Sequence, residues 1–301
     1  MTRATLTAVL AVMVMLAAGS PTAAQDGLAM MKVESGARPA GMGGAFTAVA
    51  GTPDAMPYNP AGTFGVEDFA VSLGHTSYWE NVRFETGHAV FRLSPRVSLH
   101  GGVRFAAIDE LEQRNYVPSE EPLSLFDAHD ISFKGGLAVR INPRLRAGFA
   151  IGWMVEKIDA WRGSSFAMDY GLQYVPTDRL TVGAAVTNLG SDMTLTRNAG
   201  DSSRPIELPT TWRAGAAYEY ERYRGALDMV YLDEEAHAHI GAEAQVHELF
   251  QVRAGYMSGY DVKNITAGAS FSRRNLAVDY AFVPYTKNLG ATHMFNLTFT
   301  M

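Results

Sequence analysis

Two histidines and a glutamate offer the most suggestive chemistry in this sequence. His237, His239 and Glu243 lie in a segment where apolar and polar residues alternate, so all three share one face of a β-strand. Imidazole and carboxylate groups are ordinary ligands of zinc and copper. Along a strand, however, side chains two residues apart stand about 7 Å apart and point in parallel. One ion would need a further ligand from elsewhere, so we predict no metal site and no cofactor.

The chain contains no sequence motif for hydrolytic or nucleophilic catalysis. The run His247–Gln251 (HELFQ) lacks the second histidine of a zinc-protease motif. The sequence contains no cysteine, which removes thiolate nucleophiles and disulfides. Serine, histidine and aspartate are present, but no local pattern marks a nucleophilic serine. We therefore predict that the protein is not an enzyme and has no catalytic residues.

The remaining charged residues belong to segments with a period of two. From Ala236 to Val246 alanine, isoleucine and valine alternate with histidine, glycine, glutamate and glutamine, and Leu145 to Val155 alternates in the same way. Such segments of about ten residues, repeated along a chain, are typical of a transmembrane β-barrel with lipid outside and a polar lumen inside. On the lumen face we expect a set of solvated residues that pair with one another and with the N-terminal region: Arg104, Lys134, Arg140, Arg146, Asp169, Arg213, Asp228, His237, His239, Glu243, Arg253 and Asp279.

Short and long connections alternate between these segments. Short turns are predicted at residues 94–96, 142–144, 176–179, 221–223, 247–249 and 273–275. Longer connections are predicted at residues 75–81, 110–129, 159–164, 189–209, 232–235, 258–264 and 284–290. Turns on the periplasmic side and longer loops on the other are typical of outer-membrane barrels. Residues 66–301 are therefore predicted to form an all-β fold, an antiparallel transmembrane barrel of about fourteen strands.

The start of the chain predicts export. Residues 1–24 combine Arg3, an apolar stretch and small residues before Gln25, which is the pattern of a signal peptide. A formal net charge of -6, together with export, argues against nucleic acid as a partner. The predicted location is the outer membrane of a diderm bacterium, and the predicted partner is its lipid.

Residues 25–65 differ in amino-acid composition from the rest of the chain. From Gly36 to Gly65 the chain is crowded with glycine, alanine and proline, and such small residues allow close packing against a wall. Thr52 and Asp54 are possible helix N-caps, with Pro53 at a first-turn position. Two four-residue elements stand out within this segment: Met42, Gly43, Gly44 and Ala45, and then Asn59, Pro60, Ala61 and Gly62.

These two elements resemble the N-terminal region of the PorV/PorQ family and, more distantly, of FadL-type outer-membrane transporters. In those proteins the matching elements form a plug, or hatch, inside a β-barrel. The resemblance implies that residues 25–65 are such a plug. The end of the chain resembles the C-terminal signal read by the outer-membrane assembly machinery, although it ends in methionine instead of phenylalanine. The residues of this signal are Phe295, Leu297, Phe299 and Met301.

Two glycine pairs interrupt the third and fourth predicted strands. Glycine inside a strand marks a bulge, a kink or a close backbone approach. These strands either accommodate the plug or carry a bulge, or the wall opens sideways into the membrane there, as the resemblance to FadL-type barrels implies. The residues of this possible lateral opening are Gly101, Gly102, Gly135 and Gly136.

Three functions remain open. The first is binding or passage of a small hydrophobic compound across or into the outer membrane. The second is an accessory role in type IX secretion, docking secreted or translocon proteins, as PorV and PorQ imply. The third is a structural barrel. For the first, two connections offer apolar residues for capture: Tyr116, Val117, Leu123, Leu125 and Phe126 in one, and Met193, Leu195, Ile206 and Leu208 in the other.

Overall fold

The computed structural model describes residues 28–78, 82–115, 120–197 and 200–301. Within these ranges fourteen antiparallel strands close into one barrel, in which sequence neighbours pair and the last strand pairs with the first. The predicted fold and strand number are thus confirmed, while the predicted signal peptide lies outside the described residues. The strands are β1 (Phe69–Ser77), β2 (Arg83–Ser94), β3 (Val97–Gln113), β4 (Ser124–Asn142), β5 (Leu145–Ile158), β6 (Trp161–Thr177), β7 (Leu180–Gly190), β8 (Thr211–Tyr220), β9 (Tyr223–Leu232), β10 (Glu235–His247), β11 (Phe250–Ser258), β12 (Ile265–Arg273), β13 (Leu276–Pro284) and β14 (Ala291–Thr300).

The period of two separates an apolar outer face from a polar inner face. In β10, Ile240 is 53% exposed, whereas His239 and Gly241 beside it are buried. In β5, Ile151 and Trp153 are exposed while Ala150 and Met154 are fully buried. Exposed apolar side chains on this scale are expected where lipid is the solvent.

The two ends of the barrel differ in their connections. Six two-residue turns lie at one end, which we name the turn end: 95–96, 143–144, 178–179, 221–222, 248–249 and 274–275. The other seven connections lie at the opposite end, the loop end. Two predicted loops are wrong there. Strand β3 extends to Gln113 and strand β4 begins at Ser124, so residues 110–113 and 124–129 belong to a hairpin. The predicted loop 159–164 is instead a two-residue turn, 159–160, in which Asp159 has a φ of 54°. Strands projecting beyond a membrane need no apolar face, so their pattern is weak.

Residues 28–66, which we name the N-terminal segment, contain only short helices within this range. They are α1 (Ala37–Gly41) and the 3-10 turns Ala29–Lys32, Pro53–Ala55 and Pro60–Thr63. Two of them begin at polar caps followed by proline: the Thr52 hydroxyl accepts from the Asp54 amide, and the Asn59 side chain accepts from the Ala61 amide. These caps explain why each turn starts where it does.

No helix in the described part of the chain is long and apolar enough to cross a membrane.

The N-terminal segment runs through the barrel from one end to the other. Leu28 belongs to a buried apolar cluster at the loop end that includes Met193, and Trp161 packs against this cluster. At its other end the Phe64 ring lies beneath Arg140 and Arg146, which flank the turn 143–144. Between these points its contacts reach strands all round the wall.

Candidate functional site

Glu243 is the centre of a buried charge cluster that joins the N-terminal segment to the wall. Its carboxylate accepts hydrogen bonds from Arg38 at 2.9 and 3.0 Å, from Arg224 at 2.8 Å and from Arg253 at 2.6 Å. Arg253 also lies 3.1 Å from Asp279. Charge-assisted and bidentate hydrogen bonds of this kind are the strong ones. One carboxylate on β10 therefore holds α1 against β9, β10 and β11.

Asp228 makes a second attachment, to backbone groups. Its Oδ2 atom accepts from the amides of Phe46 and Thr47, both at 2.9 Å, and from the Thr47 hydroxyl at 2.6 Å. The side chain is fully buried. Gly215 on the neighbouring strand leaves the room for it, because a Cβ there would overlap the carboxylate. Three donors therefore satisfy Oδ2, whereas the buried Oδ1 atom has no hydrogen-bond partner in the described structure.

The element Met42–Ala45 fits the wall because two of its residues are glycines. Gly43 and Gly44 have φ angles of +62° and +72°, a region that favours glycine. A Cβ on Gly43 would lie 2.9 Å from the Tyr256 amide nitrogen, and one on Gly44 would lie 2.9 Å from His239. Met42 and Ala45 are fully buried.

The element Asn59–Gly62 is bound on the opposite side of the barrel. The Asn59 amide group donates to the carbonyls of Thr47 at 2.8 Å and of Leu172 at 3.1 Å. Pro60 and Ala61 are buried, and a Cβ on Gly62 would lie 2.6 Å from the Val49 carbonyl. Both elements that carry the resemblance thus lie in close contact with the wall, and their role as a plug stays a prediction.

His237 and His239, which were considered as metal ligands, contact a tyrosine instead. The His237 ring stacks on Tyr260 with centroids 4.1 Å apart, and His239 hydrogen-bonds the Tyr260 hydroxyl at 2.9 Å. In the described ranges no three His, Cys, Asp or Glu side chains lie close enough to hold a metal ion.

The other predicted lumen residues also face inward. Lys134 binds Asp169 at 2.6 Å and Asn188 at 2.7 Å. Arg104 donates to the Val33 carbonyl at 2.9 Å, and Arg213 lies over the Tyr58 ring at 5.0 Å. With Arg140 and Arg146 over Phe64, all twelve predicted residues are placed on the lumen side of their strands. Most of them contact the N-terminal segment or one another.

A different environment occupies the loop end. We name it the outer apolar cluster, and it is formed by buried side chains of β2, β3, β5, β6, the 191–210 connection and the start of the N-terminal segment. Its members are Leu28, Met30, Phe84, Ala106, Met154, Ala167, Met193, Leu195 and Leu208. Met193 pairs with Ile206 in an isolated bridge, and the Met193 side chain is fully buried. Of the two connections predicted to offer apolar residues, this one contributes to the cluster. In the other, Leu123 and Leu125 are exposed, and Tyr116 and Val117 lie outside the described residues.

Polar contacts hold the start of the N-terminal segment in this cluster. Lys32 pairs with Asp233 at 2.7 Å, and Glu34 pairs with Lys263 at 2.7 Å. Burial by itself would raise the pKa of Glu34, but the charge and hydrogen bond of Lys263 bring that pKa below its ordinary value. Glu34 is therefore ionised and paired at neutral pH. Leu28 and Met30 are consequently held in an apolar site that sequence periodicity did not reveal.

The glycine pairs show no bulge. Gly101 pairs directly with Gly135, and both ladders of β3 run without a register shift past them. Gly102 and Gly136 face inward, where a Cβ would lie 2.6 Å from the His88 ring and 2.8 Å from the His100 ring. The bulge interpretation is wrong, and close packing explains these two glycines. A lateral opening at the pairs would require unbroken ladders to separate, and it stays a prediction.

An irregularity that sequence reasoning missed lies between β6 and β7. The register shifts between Met168 and Tyr170, and Asn188 opposite has a φ of 60°. This geometry is that of a β-bulge, which disrupts the ladder locally. The bulge adjoins the outer apolar cluster, since Ala167 is a member of it.

The C-terminal strand has the predicted faces. Phe295 and Leu297 are 49% and 46% exposed on the outer surface, and Phe299 shares that side. The Met301 amide donates to the Phe69 carbonyl at 2.8 Å. The function of these residues as an assembly signal stays a prediction.

Solved outer-membrane channels have a similar fold. The toluene transporter TodX of Pseudomonas putida matches with a TM-score of 0.63 at 13% identity, over 92% of this chain and 98% of that one. A FadL homologue of Pseudomonas aeruginosa matches with a TM-score of 0.58 at 13% identity, over 88% and 97%. No protein-family model and no curated protein matches the sequence. The chain therefore shares the barrel fold of FadL/TodX-type channels, and its resemblance to PorV and PorQ stays a prediction.

Proposed function

We propose that this protein is an outer-membrane barrel that binds small hydrophobic compounds at its outer apolar cluster and delivers them into or across the membrane. In this proposal residues 25–65 are a plug that closes the remaining lumen. The observation that carries it is the division of the lumen. One end is lined by apolar side chains, while most of the rest is occupied by the N-terminal segment, which is held by buried charged contacts and by apolar packing around Phe46.

The composition of the cluster supports a binding role. Met154 and Met193 are fully buried, and methionine adapts its shape to irregular partners. Leu28 and Met30 occupy the site in this structure, and together they approach the size of a small monoaromatic molecule. A compound that displaced them would replace one apolar burial by another, so the exchange would cost little. TodX, with the same fold, is a toluene transporter.

The exit follows from the charges below the cluster. A hydrophobic compound moving on toward the turn end would separate buried ion pairs, such as Lys134 with Asp169, and would leave charges unpaired at a cost of several kcal/mol. Lateral exit avoids this cost. The bulge between β6 and β7 lies beside the cluster, and we assign the exit to that seam. A secretion-accessory function has no specific observation in its favour among the described residues.

The experiment compares two buried methionines. Met154 in β5 lies in the outer apolar cluster, whereas Met257 in β11 is equally buried in another cluster with Ala37 and Met294. Met154→Gln should reduce uptake of radiolabelled toluene by cells producing the protein by about tenfold, because an unpaired buried amide costs about 1–3 kcal/mol. Met257→Gln should leave uptake unchanged. The two variants are compared at equal amounts of folded barrel, which is measured by heat modifiability on gels. Equal uptake by both variants would refute the assignment.

A further inference from the structure

A separate cavity of about 60 Å³ lies between the N-terminal segment and the wall. One water molecule needs roughly 10–15 Å³ of cavity volume, so several waters or one small ion fit. Ser35 and Met56 contribute from the segment, and Arg104, Lys134 and Arg213 contribute from β3, β4 and β8.

The cavity is lined by donors whose partners are missing. Arg104 is 8% exposed, and its Nε atom has no hydrogen-bond partner in the described structure. The same holds for Nε and Nη1 of Arg213, and for the Ser35 hydroxyl. Buried polar groups are normally satisfied. Donors left over from several elements, all lining one cavity, therefore point to an acceptor that binds there.

The lining of the cavity carries positive charge. It includes Arg104, Lys134 and Arg213, with His88 beside them, but no aspartate or glutamate among the described residues. Behind the lining, Glu34 and Asp130 interact electrostatically with Arg104, and Asp228 interacts with Arg213. Outside the lining, Asp169 neutralises Lys134 at 2.6 Å, and Asp54 lies 3.6 Å from His88. The two arginine charges have no such ion pair in the described structure. Arginine forks match the geometry of oxyanions.

We propose that this cavity binds a small oxyanion, such as inorganic phosphate, between the N-terminal segment and the barrel wall. The inference goes beyond the proposed uptake of hydrophobic compounds and does not depend on it. The three basic side chains of the lining suit an anion and not a hydrocarbon chain. An anion bound to Arg104 and Arg213 would satisfy their free donors and join two strands to the segment.

The test is calorimetric titration of the detergent-purified protein with inorganic phosphate at constant ionic strength. We expect saturable binding. Arg104→Gln and Arg213→Gln should each weaken it by about tenfold or more, since each removes charge-assisted hydrogen bonds to the ion. Arg213→Lys, which keeps the charge, should bind with intermediate affinity. The matched control is Arg146→Gln, because Arg146 also lies over an aromatic ring of the segment with an unpartnered Nε, but does not line the cavity.

The outcomes are distinct. Heat modifiability on gels first shows that each variant is a folded barrel. Phosphate binding that is lost in the cavity variants and kept in Arg146→Gln supports the proposal. Absence of binding by the wild type, or equal weakening in all variants, overturns it. Hexyl phosphate should bind more weakly than phosphate, and tighter binding of the alkyl form would also overturn it.

Discussion

The two ends of the lumen hold the same N-terminal segment by different balances of contacts. Toward the turn end and in the middle, buried polar contacts such as Arg38 with Glu243 and the Phe46 and Thr47 amides with Asp228 accompany apolar packing. At the loop end, Leu28 and Met30 themselves contact apolar side chains, and ion pairs hold only the residues that follow them. Polar contacts demand one geometry, whereas apolar burial is non-directional and another apolar molecule can replace it. In the proposed function, the first set of contacts is a fixed seal and the second is an exchangeable site.

The largest effect is expected from removing the seal. Deleting residues 36–65 should leave a barrel that still inserts, because the strand ladder closes without the segment. A barrel of fourteen strands encloses more space than its own side chains fill. In planar bilayers its conductance should rise by an order of magnitude or more above that of the intact protein. Equal conductance of both forms would show that the segment does not close the lumen.

The seam between β6 and β7 should control delivery without affecting the seal. Met168 and Leu189 pair across it and face outward. Because the chain has no cysteine, replacing both by cysteine introduces a single possible disulfide, and oxidation should lower toluene uptake severalfold until reductant is added.

The control for that pair is Phe133→Cys with Trp153→Cys, which pair across the regular β4–β5 ladder with similar exposure. Oxidising this control pair should leave uptake unchanged. If the seam pair also transports normally when oxidised, the exit lies elsewhere in the wall, and the glycine pairs would be examined next.

The polar attachment should dominate stability. Glu243→Gln leaves buried guanidinium groups without their carboxylate, and breaking a buried pair costs about 3–5 kcal/mol. Glu219→Gln removes a partner of the same Arg224, but the Glu219 side chain is 57% exposed, and exposed pairs contribute at most about 1 kcal/mol. Urea titration of tryptophan fluorescence in lipid vesicles should separate the two. Similar free energies of unfolding for both variants would mean that the charge cluster is not a structural anchor.

The smallest effect concerns acid and the start of the segment. Since the folded pKa of Glu34 lies below the ordinary value of 4.5, its pair with Lys263 stabilises above that value and is lost as pH falls through the folded pKa. Glu34→Gln should therefore increase hydrogen exchange at residues 28–32 modestly at pH 7, and the wild type should show the increase only in acid. A wild-type increase already between pH 7 and pH 6 would contradict this assignment.

Much of the fold could be predicted because it repeats. Alternation within strands and the short turns between them are local properties, and they were sufficient for the strand number and the lumen face. The predicted cap at Thr52 is equally local, whereas the cap at Asn59 was not predicted. The β3–β4 hairpin was missed because strands outside lipid lose their apolar face.

The site could be predicted only in part, since it depends on contacts between distant residues. Nothing in the sequence near Arg38 indicates that Glu243 will be its partner, and no periodicity places Leu28 and Met30 beneath Met193. The bulge at Asn188 also has no sequence signal, because asparagine with a positive φ is common in ordinary turns. The bulge predicted at the glycine pairs was wrong for a related reason, because close packing and bulges both favour glycine and the sequence alone does not distinguish them.

The most direct measurement of the central claim is the position of a bound hydrophobic compound. Crystals of the purified protein grown with iodobenzene should show anomalous iodine density among Met154, Met193 and Leu208, with Leu28 and Met30 displaced. Iodine found in the charged part of the lumen, or only on the lipid-facing surface, would contradict the division into a sealed lower lumen and an exchangeable apolar site.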